Sequence, residues 1–369
     1  MSDAATYLRE ALDLASRGLA LTSPNPMVGA VLVRDGRVVG RGFHTYAGVK
    51  HAEIVALEQA GGDARGSTLY INLEPCAHKG RTGPCVQALV EAGVAAVVAA
   101  MPDPNPLVAG RGFQILRDAG VRVEIAGEFT AEAERLNEAF VHFMRTGRPL
   151  VTLKAALTLD GKISAPDDNR GWITSETARD HVQQLRHATD SIATGIGTLL
   201  ADDCLLTDRT GLDRARPLLR LIFDSQLRTP LHSKMIESGS GDVIVVATSA
   251  APADRRRALE GRGARVLICD GSDGRADLRS AIEWLAREKY LSLVIEAGSK
   301  VNWAALEAGV VDKVFLYYGA KILGGMQSLP MAGGPGRRRR SDAIRVKGVR
   351  LHPIAPDEFA VEAYVHRDY

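Results

Sequence analysis

Four residues in the first third of the sequence have the types and spacing that zinc-dependent hydrolysis requires. His51 and Glu53 belong to the short stretch His-Ala-Glu, and Cys76 and Cys85 each follow a proline. A catalytic zinc site uses three protein ligands and keeps a fourth position for water, whose pKa falls to about 7. We therefore predict that His51, Cys76 and Cys85 bind Zn²⁺. Glu53 is then the proton carrier that does not bind the metal, as in zinc-dependent deamination of a nucleobase.

Two other interpretations of these residues stay open. A single histidine at a helix start is most often a cap, and a single cysteine is most often a small buried apolar residue, but the full set favours a metal. A closed structural zinc site is the second alternative, with His78 as its fourth ligand.

The loop between the two cysteines departs from the general deaminase signature, which ends in C-x-x-C. Here eight residues, 77 to 84, separate Cys76 from Cys85, and they include Lys79 and Arg81. A basic loop beside a catalytic metal is suited to bind a negatively charged group, although a lone basic residue is most often solvated. We predict that Lys79 and Arg81 contact the substrate.

Strand and helix patterns alternate along the sequence. This alternation predicts an α/β fold, whose elements position these residues. The stretch "MVGAVLVRDGRVVG" predicts a hairpin that turns at Asp35-Gly36, and "HAEIVALEQAG" predicts a helix that begins near His51. Residues 130 to 149 predict one long helix before a Gly-Arg-Pro break. A boundary near Gly147 therefore gives two domains, 1–147 and 148–369, and the second has α/β patterns of its own.

The charge and composition of the chain argue against nucleic acid or a membrane as its partner. Lys and Arg number 46 and Asp and Glu 44, and a net charge of +2 creates no overall field that attracts nucleic acid or an anionic membrane. The N-terminus lacks a signal-peptide pattern, and the apolar run at 94–101 is far shorter than the roughly 20 residues that span a bilayer. Four cysteines in so long a chain do not predict a disulfide framework. We expect a cytoplasmic protein with no membrane or nucleic-acid partner.

A deaminase of nucleic-acid bases is the rival hypothesis, since it needs the same His, Glu and Cys residues and the run at 337–340 consists of four arginines. The balanced charge of the whole chain and the long loop between the cysteines favour a small phosphorylated substrate instead.

Eight motifs occur in a fixed order and together resemble the bifunctional deaminase-reductase family of riboflavin biosynthesis over nearly the whole chain. They are "NPMVGAVLV" from Asn25, "HAE" from His51, "EPCAHKGRTGPC" from Glu74, "DPNP" from Asp103, "TLDGKIS" from Thr158, "GWITS" from Gly171, "GIGTLLADD" from Gly195 and "VIEAG" from Val294. The resemblance implies a cytidine-deaminase-like αβα domain followed by a dihydrofolate-reductase-like α/β domain. It also implies a homo-oligomer, a dimer or tetramer, built through the reductase domain.

Two reactions follow from this resemblance. The first is zinc-dependent hydrolytic deamination of 2,5-diamino-6-(5-phosphoribosylamino)pyrimidin-4-one, and the second is NADPH-dependent reduction of the ribosyl group to a ribityl chain. In the first, Asn25 is expected to orient the base, and Lys79, Arg81 and Asn105 are expected to contact the phosphate.

Reductase residues are carried over from the resemblance alone, because the sequence has no G-x-G-x-x-G and its glycine turn "GIG" indicates no cofactor by itself. The expected cofactor contacts are Ala156, Trp172, Thr198, Asp202, Ser225 and the run from Gly298. The expected substrate contacts are Arg186, Leu206, Arg209 and Glu296. Paired guanidinium groups suit a phosphate. Lys154 either faces the ribose or is solvated at a strand end.

This chain departs from the family pattern at two positions. Arg170 stands where the family has serine, which puts one substrate contact in doubt, and Cys204 stands where it has proline. We expect Cys204 to be a packing change and Cys269 to be a core residue, and neither to bind zinc.

Overall fold

The computed structural model describes residues 3–45, 50–77, 83–167 and 171–365. His78, Lys79, Arg81 and Arg170 therefore lie outside the described residues. The chain divides into two compact units, one of Met1–Gly147 with Asp213–Arg216 and the other of Arg148–Leu212 with Pro217–Tyr369. In the described part of the chain, no helix has the length and apolar character that crossing a bilayer requires.

The first unit is built on a five-stranded sheet. Its elements are α1 (Asp3–Ser16), β1 (Gly29–Arg34), β2 (Arg37–Phe43), α2 (Ala52–Ala60), β3 (Thr68–Ile71), α3 (Cys85–Glu91), β4 (Ala96–Ala99), α4 (Arg111–Asp118), β5 (Arg122–Ile125), α5 (Thr130–Leu136) and α6 (Glu138–Thr146). The strand order is β2-β1-β3-β4-β5. β1 is antiparallel to β2 and β3, and β3, β4 and β5 are parallel. The predicted hairpin at Asp35-Gly36 and the helix after His51 are confirmed.

Alternation along β1 gives this sheet two apolar faces. Ala30 and Leu32 pack in a core with residues of α2, α3 and α4, whereas Val31 and Val33 pack in a core with α1. Successive side chains of a strand point to opposite faces, so helices cover both sides of the sheet. The layers are the αβα arrangement that the family resemblance implied.

Two glycines of β2 fix the helix that follows His51 and carries Glu53. A Cβ atom at Gly40 would lie 2.2 Å from the carbonyl oxygen of Ala56, and one at Gly42 would lie 2.1 Å from that of Ala52. Only glycine allows strand and helix backbones to approach so closely. The start of α2 is therefore held directly against β2.

The predicted single helix over 130–149 is wrong, because α5 and α6 are separate helices that meet at Asn137. The backbone of Asn137 departs from helical geometry, with φ −102° and ψ 28°. Its side chain accepts a hydrogen bond from the Met27 backbone nitrogen at 2.8 Å and donates one to the Met27 carbonyl oxygen at 2.9 Å. The helix is interrupted where an amide side chain bonds a distant backbone segment.

The second unit is built on a nine-stranded sheet. Its elements are β6 (Leu150–Thr158), β7 (Lys162–Ser164), α7 (Glu176–His187), β8 (Ser191–Gly195), α8 (Ile196–Asp202), β9 (Leu219–Phe223), α9 (Lys234–Glu237), β10 (Val243–Ala247), α10 (Ala253–Glu260), β11 (Arg265–Ile268), α11 (Leu278–Arg287), β12 (Ser292–Ile295), α12 (Ser299–Glu307), β13 (Lys313–Gly319), β14 (Leu329–Pro330), β15 (Lys347–Ala355) and β16 (Glu358–Tyr364). The strand order is β11-β10-β9-β8-β12-β6-β13-β16-β15. Neighbours from β11 to β13 in this order are parallel, and β16 and β15 pair antiparallel to their neighbours.

Helices cover both faces of this sheet as well. One face packs in a core with residues of α11 and α12, and the other packs in a core with residues of α8, α9 and α10. Because the central strands are parallel, the carboxyl ends of β8, β9 and β12 lie at one edge, where α/β sheets bind their ligands. The second domain is the predicted α/β fold.

Candidate zinc centre and ion-pair site

The three predicted zinc ligands come together in the first unit. His51 precedes α2, Cys85 is the first residue of α3, and Cys76 lies in the loop after β3. The Nδ1 atom of His51 is 3.1 Å from the Cys85 sulfur and 3.4 Å from the Cys76 sulfur, and the three ligand atoms lie within 4.8 Å of one another. Zinc takes one nitrogen and two sulfurs at about 2.0 to 2.3 Å, which fits a trio at these separations.

Hydrogen bonding couples the proton affinities of this trio, so that the pKa of the Cys76 thiol falls while the pKa of the Cys85 thiol rises. A hydrogen bond with Cys85 lowers the pKa of the Cys76 thiol to about 4, against the opposing effect of burial. The hydrogen bond with Cys76 in turn raises the pKa of His51. Since the thiolate is the form that binds a metal, Cys76 is prepared to act as a ligand.

Glu53 lies next to the ligands on the first turn of α2 and is 3% exposed. Burial raises the pKa of its carboxyl group, and the negative charge of Cys76 raises it further. A carboxyl group with a raised pKa holds a proton more tightly, which suits a group that must give protons as well as take them. It is the kind of group that the predicted proton carrier requires.

His44 is a residue of this site that sequence reasoning missed. It is 5% exposed, and its ring lies edge to face with that of His51, with centroids 5.3 Å apart. Burial lowers its pKa, so the ring is neutral; Nδ1 donates to the Lys50 carbonyl oxygen at 3.0 Å, and Nε2 accepts from Asn25 Nδ2 at 3.3 Å. The contacts of His44 with His51 and Asn25 exist only in the folded chain, so nothing in the sequence indicated that His44 belongs to this site.

Two buried asparagines hold the segment that contains Asn25. Asn137 bonds both backbone groups of Met27, and Asn72 donates to the Met27 carbonyl oxygen at 2.9 Å. The side-chain oxygen of Asn72 also accepts from the Gly29 backbone nitrogen at 2.9 Å. The backbone near Asn25 is therefore fixed by amide side chains from two other parts of the fold.

The predicted phosphate contact Asn105 lies in a tight turn. Its backbone nitrogen donates to the Asp103 carboxylate at 2.8 Å, and its side-chain oxygen accepts from the Leu107 backbone nitrogen at 3.0 Å. The turn orients the Asn105 amide so that Nδ2 is the end suited to donate to an anion.

An ion-pair cluster joins three residues in the second unit. Ile295 of β12 pairs with Leu153 of β6, so that Glu296 and Lys154 are the next residues on neighbouring strands. Lys154 Nζ lies 3.2 Å from Glu296 Oε1, and Arg186 bonds the same carboxylate at 2.7 Å and 3.2 Å.

The two cations of this cluster determine the pKa of Glu296. Burial raises the pKa of Glu296, but the charges of Lys154 and Arg186 outweigh burial and lower the pKa to about 2. The side chain of Arg186 also donates to the Thr207 carbonyl oxygen at 3.0 Å. The solvated alternative for Lys154 is wrong, because this residue is 7% exposed and paired.

Only some of the other predicted reductase residues lie at the carboxyl edge of the sheet. A Cβ atom at Gly298, before α12, would lie 3.2 Å from the Thr198 hydroxyl of α8, which places these two predicted cofactor contacts side by side. The Ser225 hydroxyl, after β9, accepts from the Ala276 backbone nitrogen at 2.9 Å. Ala156 pairs in register with Tyr317, next to the ion-pair cluster.

Three predicted contacts lie at the surface. Trp172 is 67% exposed and has the Arg179 guanidinium group 4.8 Å above its ring, while Asp202 and Arg209 are exposed. The Arg209 backbone nitrogen donates to Gln183 at 2.9 Å. Leu206, by contrast, is 5% exposed.

The two remaining cysteines belong to the second unit. Cys269 is buried in the core of one sheet face, and Cys204 packs against the core of the other. The prediction that Cys269 is a core residue is confirmed. Burial raises the pKa of each thiol to about 11, which makes them unreactive.

Similarity to known proteins identifies the family of both domains. The family model for the cytidine and deoxycytidylate deaminase zinc-binding region matches residues 1–101, and the model for the RibD C-terminal domain matches residues 149–357. The riboflavin biosynthesis protein RibD of Escherichia coli (strain K12) is 41% identical over 363 residues, which cover 95% of this chain and 96% of the relative. This chain belongs to the RibD family. The chain is therefore a bifunctional deaminase and reductase of riboflavin biosynthesis, a zinc enzyme whose reductase domain implies NADPH.

Other RibD proteins match over the same length. RibD of Actinobacillus pleuropneumoniae is 40% identical over 341 residues, covering 92% of this chain and 90% of the relative. The structure of Acinetobacter baumannii RibD has a TM-score of 0.87 at 37% identity, and a deaminase/reductase from Thermotoga maritima has 0.84 at 32%; each match covers 98% of both chains. RibD enzymes act on small molecules, so the nucleic-acid alternative is set aside.

Proposed function

We propose that the domain of residues 1–147 deaminates 2,5-diamino-6-(5-phosphoribosylamino)pyrimidin-4-one and that residues 148–369 then reduce the ribosyl group of the product with NADPH. The observation that carries this proposal is the His51, Cys76 and Cys85 trio beside buried Glu53. The Thermotoga maritima relative is described as a diaminohydroxyphosphoribosylaminopyrimidine deaminase and 5-amino-6-(5-phosphoribosylamino)uracil reductase.

In deamination, Zn²⁺ held by the trio supplies the Lewis acid that makes water a nucleophile at neutral pH. Glu53 takes one proton from water and gives it to the ring nitrogen. It then takes the second proton, from the hydroxyl group that has added to the carbon, and gives it to the leaving amino group. The oxygen of water replaces that amino group, which leaves as ammonia. Asn25 Nδ2 donates to His44, so its side-chain oxygen is the end that accepts a hydrogen bond from the base.

Phosphate recognition is proposed for Lys79, Arg81 and Asn105. Support comes from the turn that orients the Asn105 amide and from the two cations in the loop between the cysteines. Lys79→Ala is expected to raise the KM of deamination about tenfold, since a charge-assisted hydrogen bond contributes about 1.5 kcal/mol or more. Zinc content should stay at the wild-type value by metal analysis, and an unchanged KM would remove Lys79 from the phosphate site.

In reduction, NADPH supplies the hydride that C1′ of the ribose receives, and the proposed contacts for the cofactor are Ala156, Trp172, Thr198, Asp202, Ser225 and Gly298. Lys154 donates the proton that the ring oxygen needs as the sugar opens. Glu296 stabilises the positive charge of Lys154 before this transfer, and Arg186 fixes the carboxylate. Arg209 and Leu206 are the further proposed contacts for the substrate.

One assay tests both activities together. Purified enzyme is supplied with zinc, the diaminopyrimidine substrate and NADPH, and ammonia release and NADPH oxidation are followed at the same time. Ammonia release should precede NADPH oxidation. NADPH oxidation without prior ammonia release would contradict the proposed order, and no ammonia release from this substrate would contradict the proposed deaminase.

Oligomerisation through the reductase domain is a further part of the proposal. β15 is the edge strand of the nine-stranded sheet, and its Val349 and Leu351 are 57% and 67% exposed. An edge strand with exposed apolar side chains is suited to pair with a second copy. Light scattering of the purified protein should give a dimer or tetramer.

A cytoplasmic location is proposed on chemical grounds. The Cys76 and Cys85 thiols must stay reduced to bind a metal, and a reducing compartment keeps them so.

A further inference from the structure

We propose that Glu74 is a positioning residue for deamination, which holds the segment with Asp103 and Asn105 at a fixed place beside the zinc ligand Cys76. This inference rests on the proposed phosphate contact of Asn105. Glu74 is 5% exposed and stands two residues before Cys76.

The carboxylate of Glu74 accepts four backbone hydrogen bonds from one segment of chain. Oε2 accepts from the backbone nitrogens of Asp103 at 3.0 Å and Gly110 at 2.8 Å. Oε1 accepts from those of Gly112 at 2.8 Å and Phe113 at 3.3 Å. Both oxygens are thus committed to the turn of Asp103 and to the start of α4, whose first N–H groups have no partner within the helix.

A close backbone approach reinforces this contact. A Cβ atom at Gly112 would lie 2.2 Å from the Pro75 carbonyl oxygen and 3.0 Å from Glu74 Oε1. Pro75 directly precedes Cys76, so α4 is pressed against the loop that carries the metal ligand. Glu74, Cys76, Asp103 and Gly112 line one small cleft.

Loss of the Glu74 contacts should weaken substrate binding more than it slows the chemical step. Asn105 is two residues from Asp103, and the phosphate that it is proposed to contact is remote from the reacting carbon. A contact of this kind is equally strong in the ground state and the transition state, so misplacing it raises KM and leaves kcat nearly unchanged.

The test uses two variants of the full-length enzyme that disturb the same contact from opposite sides. Glu74→Gln places an amide NH₂ group against two backbone N–H donors, and Gly112→Ala forces α4 away from Pro75. Each should raise the KM for ammonia release about tenfold, the effect of losing one hydrogen bond to a charged group, and change kcat by no more than about twofold. Zinc content and the reductase rate on deaminated substrate should match the wild type.

A matched control removes a buried hydrogen bond of the same domain that does not contact these segments. Ser67 is fully buried and donates to the Ala64 carbonyl oxygen at 2.7 Å, so Ser67→Ala should lower stability and leave KM unchanged. Gly112→Ala keeps the test decisive even where Glu74→Gln does not fold.

Two results would overturn the role of Glu74. One is a wild-type KM in the folded variants, and the other is loss of zinc, which would make the carboxylate a support of the metal site as a whole. Wild-type enzyme that releases no ammonia from the substrate contradicts the proposed function instead, so the two failures are distinguishable.

Discussion

Glu53→Gln is expected to keep the wild-type zinc content and to lose ammonia release by about a hundredfold to ten-thousandfold, the usual contribution of a general acid-base group. The amide has nearly the same shape as the carboxyl group, so it occupies the same buried place on α2. It cannot take a proton from water or return one to the leaving group. His51, Cys76 and Cys85 keep their positions, so metal analysis should show no loss.

Glu58 provides the matched control, because it lies on the same helix, is exposed and pairs with Lys50 at 2.8 Å. Glu58→Gln should release ammonia at the wild-type rate. In both variants the reductase rate on deaminated substrate serves as a measure of the amount of active enzyme. Full ammonia release by Glu53→Gln would remove this residue from its proposed role.

The zinc centre was predictable because its residues are local in sequence and chemically distinctive. His51 and Glu53 are separated by one residue, and each cysteine follows a proline, so type and spacing alone indicated the trio. His44, Asn72 and Asn137 gave no such signal. Their roles depend on contacts with Met27 or Asn25 that only the folded chain brings about.

The proposed reductase site was less predictable for a related physical reason. Lys154 and Glu296 are separated by 142 positions in sequence, and they meet because β6 and β12 are neighbours in the parallel sheet. Without knowledge of the neighbouring strand, a lysine in an apolar strand pattern is interpreted as a solvated residue at a strand end. The helix break at Asn137 was missed likewise, because helix propensity does not report a distant hydrogen bond.

Lys154→Met is expected to reduce NADPH oxidation on deaminated substrate by a hundredfold or more, on the order of the effect of removing a general acid. Methionine fills a similar volume in β6 but donates no proton. Arg186 still pairs with Glu296, so the carboxylate keeps one compensating charge. Ammonia release should stay at the wild-type rate.

Lys313 offers a matched control, since it forms a similar lysine-glutamate pair with Glu362 at 2.6 Å in the same sheet and is 13% exposed in its side chain. Lys313→Met removes a comparable ion pair, so it should lower the thermal stability of the domain and leave the reductase turnover close to wild type.

NADPH affinity, followed by fluorescence titration, should be unchanged in Lys154→Met, because the proposed loss is of proton transfer and not of cofactor binding. Equal losses of turnover in the two variants would show that Lys154 acts only through stability, and the proton donor would then have to be another group near Glu296.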